Sequence, residues 1–279
     1  MVEPEVAFAE LDEIMELAED LVCCMVQAVL GRHEDDLRFL GRDLAPLKKV
    51  AKPFARITYG EARENLRSEK TRQWLDDELT RDRGRLDDAL RELSALEAQV
   101  AAAKSPWQKE SLQGKLLELR EAANELEQDI GHRPDHIRQA QAFEWGKDLG
   151  GSDETILSRQ FDKPVFVTHY PRDIKAFYMK ADADDPCVVR NMDLLAPEGY
   201  GEIIGGSQRE DDLAVLTARL REKRLDPAVY EWYLDLRRFG TVPHGGFGLG
   251  VERALSWICG LKHVREAIPF PRTLGRIHP

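Results

Sequence analysis

The chain has 279 residues, 42% of them hydrophobic and 33% charged, enough for one large domain or for one domain carrying an insertion. A formal net charge of −11 excludes a global basic field that would draw the chain to nucleic acid, and leaves room for an enzyme that meets RNA through a local patch. Cys23, Cys24, Cys187 and Cys259 have neither zinc-like spacing nor the framework of a secreted scaffold, so they are expected to be reduced, mostly buried thiols in a cytoplasmic protein. The acidic opening from Met1 to Glu5 lacks the basic start of a signal peptide, and no apolar run reaches the length of a membrane span.

In chain order, Val6 and Phe8 read as a short strand. Ile14, Leu17, Leu21, Val22, Met25, Val26 and Val29 then recur at helical spacing. Asp12 favours the positive end of that helix, and Gly31 is placed to end it. Thr58 with Glu61 three residues on forms the pattern of a capping box for a second short helix.

From about Lys70 to Gln141 the composition shifts to Leu, Ala, Glu, Arg and Asp. Leu75, Leu79, Leu86, Leu90, Leu93, Leu96 and Val100 give one long amphipathic helix. Ser105-Pro106 breaks the pattern, and Leu112, Leu116, Leu119, Ala123, Leu126 and Ile130 give a second, ending near Gly131 and Pro134. The pair reads as an antiparallel helical hairpin spanning residues 66–141, either a rigid insertion with a solvated face or an arm that touches RNA or a partner. Acids are at least as common as bases there, which weighs against RNA.

Residues 164–168, 188–194 and 202–204 read as strands, with helices from about Asp211 to Glu222 and from Asp226-Pro227 to about Arg238. Strands joined mostly by turns, with the helices grouped later, predict an α+β fold with a mainly antiparallel sheet.

Two constellations carry chemistry. Gly245-Gly246-Phe247-Gly248-Leu249-Gly250 runs into Val251-Glu252-Arg253 and an apolar helix. Such a turn is either a tight strand-to-helix corner or a place where backbone closely approaches an anion. Its glycine spacing is not that of a dinucleotide-binding fingerprint, and no Gly-Lys-Ser/Thr makes it a Walker loop. The second is Gly201-Glu202-Ile203-Ile204-Gly205-Gly206-Ser207-Gln208-Arg209, in which strand alternation puts Glu202 and Ile204 on one face. Glu202 with Asp193 could hold magnesium beside phosphate oxygens, or Glu202 could belong to an ordinary buried ion pair.

The run from Tyr233 to Arg253 resembles motif 3 of class II aminoacyl-tRNA synthetases, and the tail from Arg265 to Thr273 extends it. Within that class, Pro269-Phe270-Pro271-Arg272-Thr273 and the segment from Gly201 to Arg209 look like asparaginyl enzymes. Residues 143–150, 174–179 and 1–5 match as well. The resemblance covers residues 1 to about 65 and 142–279, which implies a catalytic domain in two parts with the helical hairpin inserted between them.

The resemblance implies asparagine activation with ATP to an adenylate and transfer to tRNA(Asn), with Mg2+ as cofactor. By the same likeness Arg253 holds ATP, with Gly248, Gly250, Glu252 and His244 around it, although His244 fits a plain loop histidine as well. Glu202 and Asp193 would bind magnesium. Arg209 would orient the amino acid by its side-chain end, with Ser207, Lys175 and Glu3 in the same pocket. Relatives place an anticodon-binding OB domain, motif 1 and most of motif 2 ahead of the point where this chain begins. That likeness makes a truncated or split form the expectation and puts the family's homodimer in doubt. The alternatives are a tRNA-independent asparagine synthetase-like paralogue and a non-catalytic binding protein that uses the hairpin.

Overall fold

A computed structural model describes residues 1–276 and 278. The chain divides into two compact units, residues 1–63 with 144–279, and residues 64–143. Among the described residues no helix is long and apolar enough to cross a membrane.

The first unit begins with β1 (Glu5–Ala7), α1 (Leu11–Arg32), α2 (Glu34–Phe39), α3 (Leu44–Lys48), β2 (Ala55–Thr58) and the start of α4 (Tyr59–Arg67), whose last residues belong to the second unit. Glu13 Oε2 accepts the Glu10 N–H at 2.7 Å, so α1 starts with acids at its positive end. Gly31 does not end α1, contrary to the sequence expectation. The helix runs on to Arg32, and the left-handed turn falls at Gly41, where φ is +75°. Thr58 behaves as its spacing predicts: its N–H and Oγ1 both donate to Glu61 Oε2, at 2.7 and 2.9 Å, at the start of α4.

The second unit holds two long helices, α5 (Glu69–Ala102) and α6 (Pro106–Gln141), which pack on each other. Ser68 caps α5 by accepting the Thr71 N–H at 3.1 Å, and Pro106 occupies the first turn of α6, where its missing N–H costs nothing. Helix α6 does not end near Gly131 and Pro134; it continues to Gln141 with Pro134 inside it. The neighbouring Arg133 supplies the compensation. Its guanidinium donates to Glu78 at 3.1 Å and to Asp82 at 3.0 Å, and all three side chains are largely buried. This cross-helix clamp offsets the hydrogen bond that proline removes.

The chain returns to the first unit through α7 (Gly151–Ser158), β3 (Val165–Thr168), β4 (Asn191–Ala196), β5 (Gly201–Gln208), α8 (Leu213–Glu222), α9 (Glu231–Arg238), β6 (His244–Leu249) and α10 (Val251–Cys259). The sheet order is β1-β6-β5-β4-β3-β2; β2 and β3 are parallel, and every other pair is antiparallel. This is the α+β architecture that the strand and helix pattern predicts. On one face, Leu11, Ile14, Ala18, Val22 and Val26 of α1 join Phe166, Met192, Leu194, Ile204, Phe247 and Trp257 in a continuous core. At about 1.5–3 kcal/mol for each large apolar side chain buried, this layer fixes the sheet and leaves its other face free for chemistry. Of the four cysteines only Cys23 is buried, because Cys24 and Cys187 fall on solvent-facing positions and Cys259 near a helix end.

Arg133→Ala leaves Glu78 and Asp82 facing each other half-dehydrated. The expected result is a loss of about 2 kcal/mol in the second unit, read as faster amide exchange confined to residues 64–143.

Candidate active site

A cavity of about 550 Å³ opens over the sheet face away from the α1 core, and its lining includes Glu3, Glu5, Lys175, Tyr178, Asp193, Glu202, Gly205, Arg209 and Gly248. Its floor depends on an irregularity. Along β4 and β5, Leu194 pairs with Ile204, but Leu195 pairs with Glu202, so Ile203 is an extra residue. Both Ile203 and Ile204 enter the core, and Glu202 and Gly205 reach the cavity face at a spacing of three rather than two. Glu202 and Ile204 therefore do not share a face, because the bulge shifts the alternation by one. The bulged Ile203 carbonyl is not wasted: it accepts the Gly250 N–H at 2.9 Å, at the start of α10.

That junction aims Arg253, in the first turn of α10, back over β5. Its Nη1 donates to the Glu202 carbonyl at 2.8 Å and lies 4.0 Å from Glu202 Oε2. Glu154 Oε2, from α7, accepts the Glu202 N–H at 3.0 Å. Asp193 faces Gly205 across the strand pair, and a Cβ at Gly205 would sit 2.6 Å from Glu202 Oε1. Lys175 Nζ lies 3.2 Å from Asp193 Oδ2 and 3.3 Å from Asp148 Oδ1, over the Tyr170 ring.

The electrostatics follow from this crowding. Burial, then the Asp193 and Glu154 charges, push the Glu202 carboxyl up to about 7, with Arg253 and Lys175 pulling the other way. Burial also raises Glu154. For Lys175 burial works to lower the ammonium, but Asp193 and Asp148 together outweigh it and hold it above its ordinary value.

At the other end of the cavity, Arg209 Nε and Nη2 donate to the two oxygens of Glu5, at 3.0 and 3.1 Å, and Nη1 donates to Ser207 Oγ at 2.6 Å. The guanidinium sits over the Tyr178 ring, 5.2 Å from its centroid. Gly246 must be glycine, since a Cβ there would collide with the Glu5 carboxylate and the Pro4 carbonyl.

A family model described as tRNA synthetases class II (D, K and N) matches residues 1–274. The chain belongs to that family. Asparagine-tRNA ligases from Koribacter versatilis and Sorangium cellulosum are 43% and 44% identical to it over all 279 residues. The crystal structure of asparaginyl-tRNA synthetase from Pyrococcus horikoshii matches with a TM-score of 0.71 at 39% identity, covering 99% of this chain and 49% of that one. The same enzyme complexed with asparaginyl-adenylate gives 0.69, covering 99% and 48%. The chain spans about half the length of the curated relatives it matches, 49% and 50% for the two ligases.

In this class II synthetase chain, Glu3, Lys175, Asp193, Glu202, Arg209 and Gly248 all reach the cavity, and Arg253 stands at its rim against Glu202. Four other expected residues do not line it. Ser207 is buried under Arg209 as its acceptor, Gly250 is engaged with Ile203, and Glu252 is exposed on α10. His244 holds Val242 through Nδ1 and meets Arg237 through Nε2. Glu5, Glu154 and Asp148 escaped the sequence reading. For Glu5 a signal existed: it lies two residues from Glu3 on an extended segment, hence on the same side.

Among the described residues no group of three or more ligating side chains forms a metal centre. Two cavity-facing carboxylates, Glu202 and Asp193, with a third behind them, nonetheless make a donor set that suits magnesium completed by phosphate oxygens. Burial first and then the Asp193 and Glu154 charges raise Glu202, and a bound cation would offset both.

Because the folded Glu202 carboxyl titrates near 7 against an ordinary 4.5, the folded chain holds the extra proton between those values, and stability falls as pH rises through that window. Glu202→Gln in the presence of a chelator is expected to match the parent near pH 4. Its melting temperature should rise above the parent's from pH 4.5 to 7 and stay above it beyond that.

Proposed function

We propose that the chain activates asparagine with ATP to asparaginyl-adenylate and passes the acyl group to tRNA(Asn). The observation that carries the reading is the Arg209–Glu5 pair opening onto the same cavity as Glu202, Asp193 and Lys175. A guanidinium has five N–H groups, and three are used on Glu5 and Ser207, so two remain to donate to a side-chain carbonyl oxygen. Glu5 beside it accepts from an amide nitrogen. Aspartate would place a carboxylate oxygen against Glu5, a like-charge contact with no proton to share. Support also comes from the likeness to the asparaginyl-tRNA synthetase complexed with asparaginyl-adenylate.

In the first step an asparagine carboxylate oxygen forms a bond to the α-phosphorus of ATP, and the bond to the bridging oxygen breaks as pyrophosphate leaves. In the second a tRNA ribose hydroxyl attacks the acyl carbon, its proton passes to a phosphate oxygen of the departing adenylate or to water, and AMP leaves with the electron pair of the mixed anhydride. No protein nucleophile is required. Arg209 and Glu5 fix the amino acid by its amide end, so its carboxylate is held toward the acidic end of the cavity. Arg253 supplies positive charge at the phosphates, and Lys175 orients Asp193 and opposes the upward push that burial exerts on its carboxyl. Glu202 and Asp193 would hold magnesium, which when bound neutralises phosphate charge.

The test is asparagine-dependent exchange of pyrophosphate into ATP, by the chain alone and by the chain fused behind the N-terminal half of the Sorangium relative. Exchange with asparagine and not aspartate supports the proposal; none in either form overturns it. Free asparagine formed from aspartate, ammonia and ATP would identify a tRNA-independent synthetase instead. Arg209→Ala is expected to raise KM for asparagine about 10- to 100-fold with little change in KM for ATP. Arg253→Ala is expected to lower kcat/KM for ATP about 10²- to 10³-fold.

A further inference from the structure

Arg237, on α9, lies outside the cavity and yet is only 6% exposed. Among the described residues no carboxylate lies within ion-pair distance of it, unlike Arg133 with its two acids. Its partners are all uncharged acceptors. Nε donates to the Glu210 carbonyl at 2.9 Å, and Nη2 donates to the Tyr233 hydroxyl at 3.0 Å and to His244 Nε2 at 3.2 Å. The guanidinium also covers the Tyr233 ring, 4.3 Å from its centroid. A buried cation without a counter-charge is costly, so a purely structural bridge here would be better made by a neutral side chain.

The bonds converge on Arg209. His244 gives its Nδ1–H to the Val242 carbonyl at 2.8 Å, which leaves Nε2 as the acceptor that the guanidinium needs. The carbonyl of the same His244 accepts the Arg209 N–H at 2.9 Å. Glu210, whose carbonyl Arg237 also holds, is the next residue along, and its N–H donates to the Tyr178 carbonyl at 2.8 Å. Tyr178 is the ring beneath the Arg209 guanidinium, and it packs edge-on against Phe177, which packs in turn on Tyr233. One guanidinium thus ties together the strand beside Arg209, the residue after it and the aromatic stack under it.

We propose that Arg237 is a positioning residue for amide recognition: it sets the Arg209 backbone and the Tyr178 ring so that the spare Arg209 N–H groups face the substrate side chain beside Glu5. The inference rests on the proposed reading of Arg209 and Glu5. A fork of donors in fixed directions is required, so lysine, with the same charge and one compact head, does not replace it.

The experiment measures binding of three probes to the full chain by calorimetry: the non-hydrolysable sulfamoyl analogues of asparaginyl- and aspartyl-adenylate, and ATP. In the parent the asparaginyl analogue is expected to bind at least 100-fold tighter than the aspartyl one. Arg237→Met is expected to cut that ratio at least tenfold while ATP affinity stays within twofold, and Arg237→Lys to cut it comparably with the melting temperature near the parent's. Should Arg237→Met fail to fold, Arg237→Lys alone decides. A parent with no preference between the analogues overturns the reading of Arg209 and Glu5. A parent with the preference, retained in Arg237→Lys, overturns only the role of Arg237. Equal weakening of all three probes assigns Arg237 to general stability and likewise overturns the inference.

Discussion

The geometry of the cleft depends on one extra residue in β5. Without Ile203 out of register, the period of two would turn Glu202 into the apolar layer beneath the sheet, where Ile204 now sits. The bulge does two further things at once. It brings Glu202 and Gly205 to the same face opposite Leu195 and Asp193, and it presents a carbonyl that starts α10 at Gly250. Arg253 is carried to Glu202 by that start. A backbone irregularity therefore assembles carboxylate, guanidinium and glycine floor in one place.

The cavity has two chemically distinct ends. At the acidic end, charges of both signs are buried faster than they are neutralised: Lys175 is held charged by Asp193 and Asp148, and Glu202 is left poorly compensated. Such residual strain is a reserve for binding, because an incoming ligand that carries its own counter-charges finds partners already oriented. At the other end Arg209 and Glu5 satisfy each other through two bonds, so they rest as a closed pair presenting a donor and an acceptor together. In the proposed reading that arrangement takes a side-chain amide by direction of hydrogen bonding and turns away a carboxylate by its charge against Glu5.

Much of this was legible in the residues, and the failures are physically coherent. Features set within a few residues were readable: the Thr58–Glu61 capping box and the Ser105-Pro106 break. The long motifs around Arg209 and Arg253 resembled a family to which the chain does belong. What escaped was decided by contacts distant in sequence. The bulge depends on how β4 pairs with β5, which no alternation within β5 reveals. Pro134 stays helical because Arg133 finds Glu78 and Asp82, more than 50 positions away. His244, for which a plain loop role was open from the sequence, is held by its near neighbours Arg237 and Val242.

A crystal structure of the chain with the sulfamoyl analogue of asparaginyl-adenylate tests the central claim most directly, because one ligand must satisfy both ends of the cleft. The account predicts the side-chain amide between Arg209 and Glu5, its oxygen toward the guanidinium and its nitrogen toward the carboxylate. It places the sulfamoyl group at the end bounded by Glu202, Lys175 and Arg253. An analogue bound with its amide away from Arg209, or with its sulfamoyl group remote from Glu202, would contradict it.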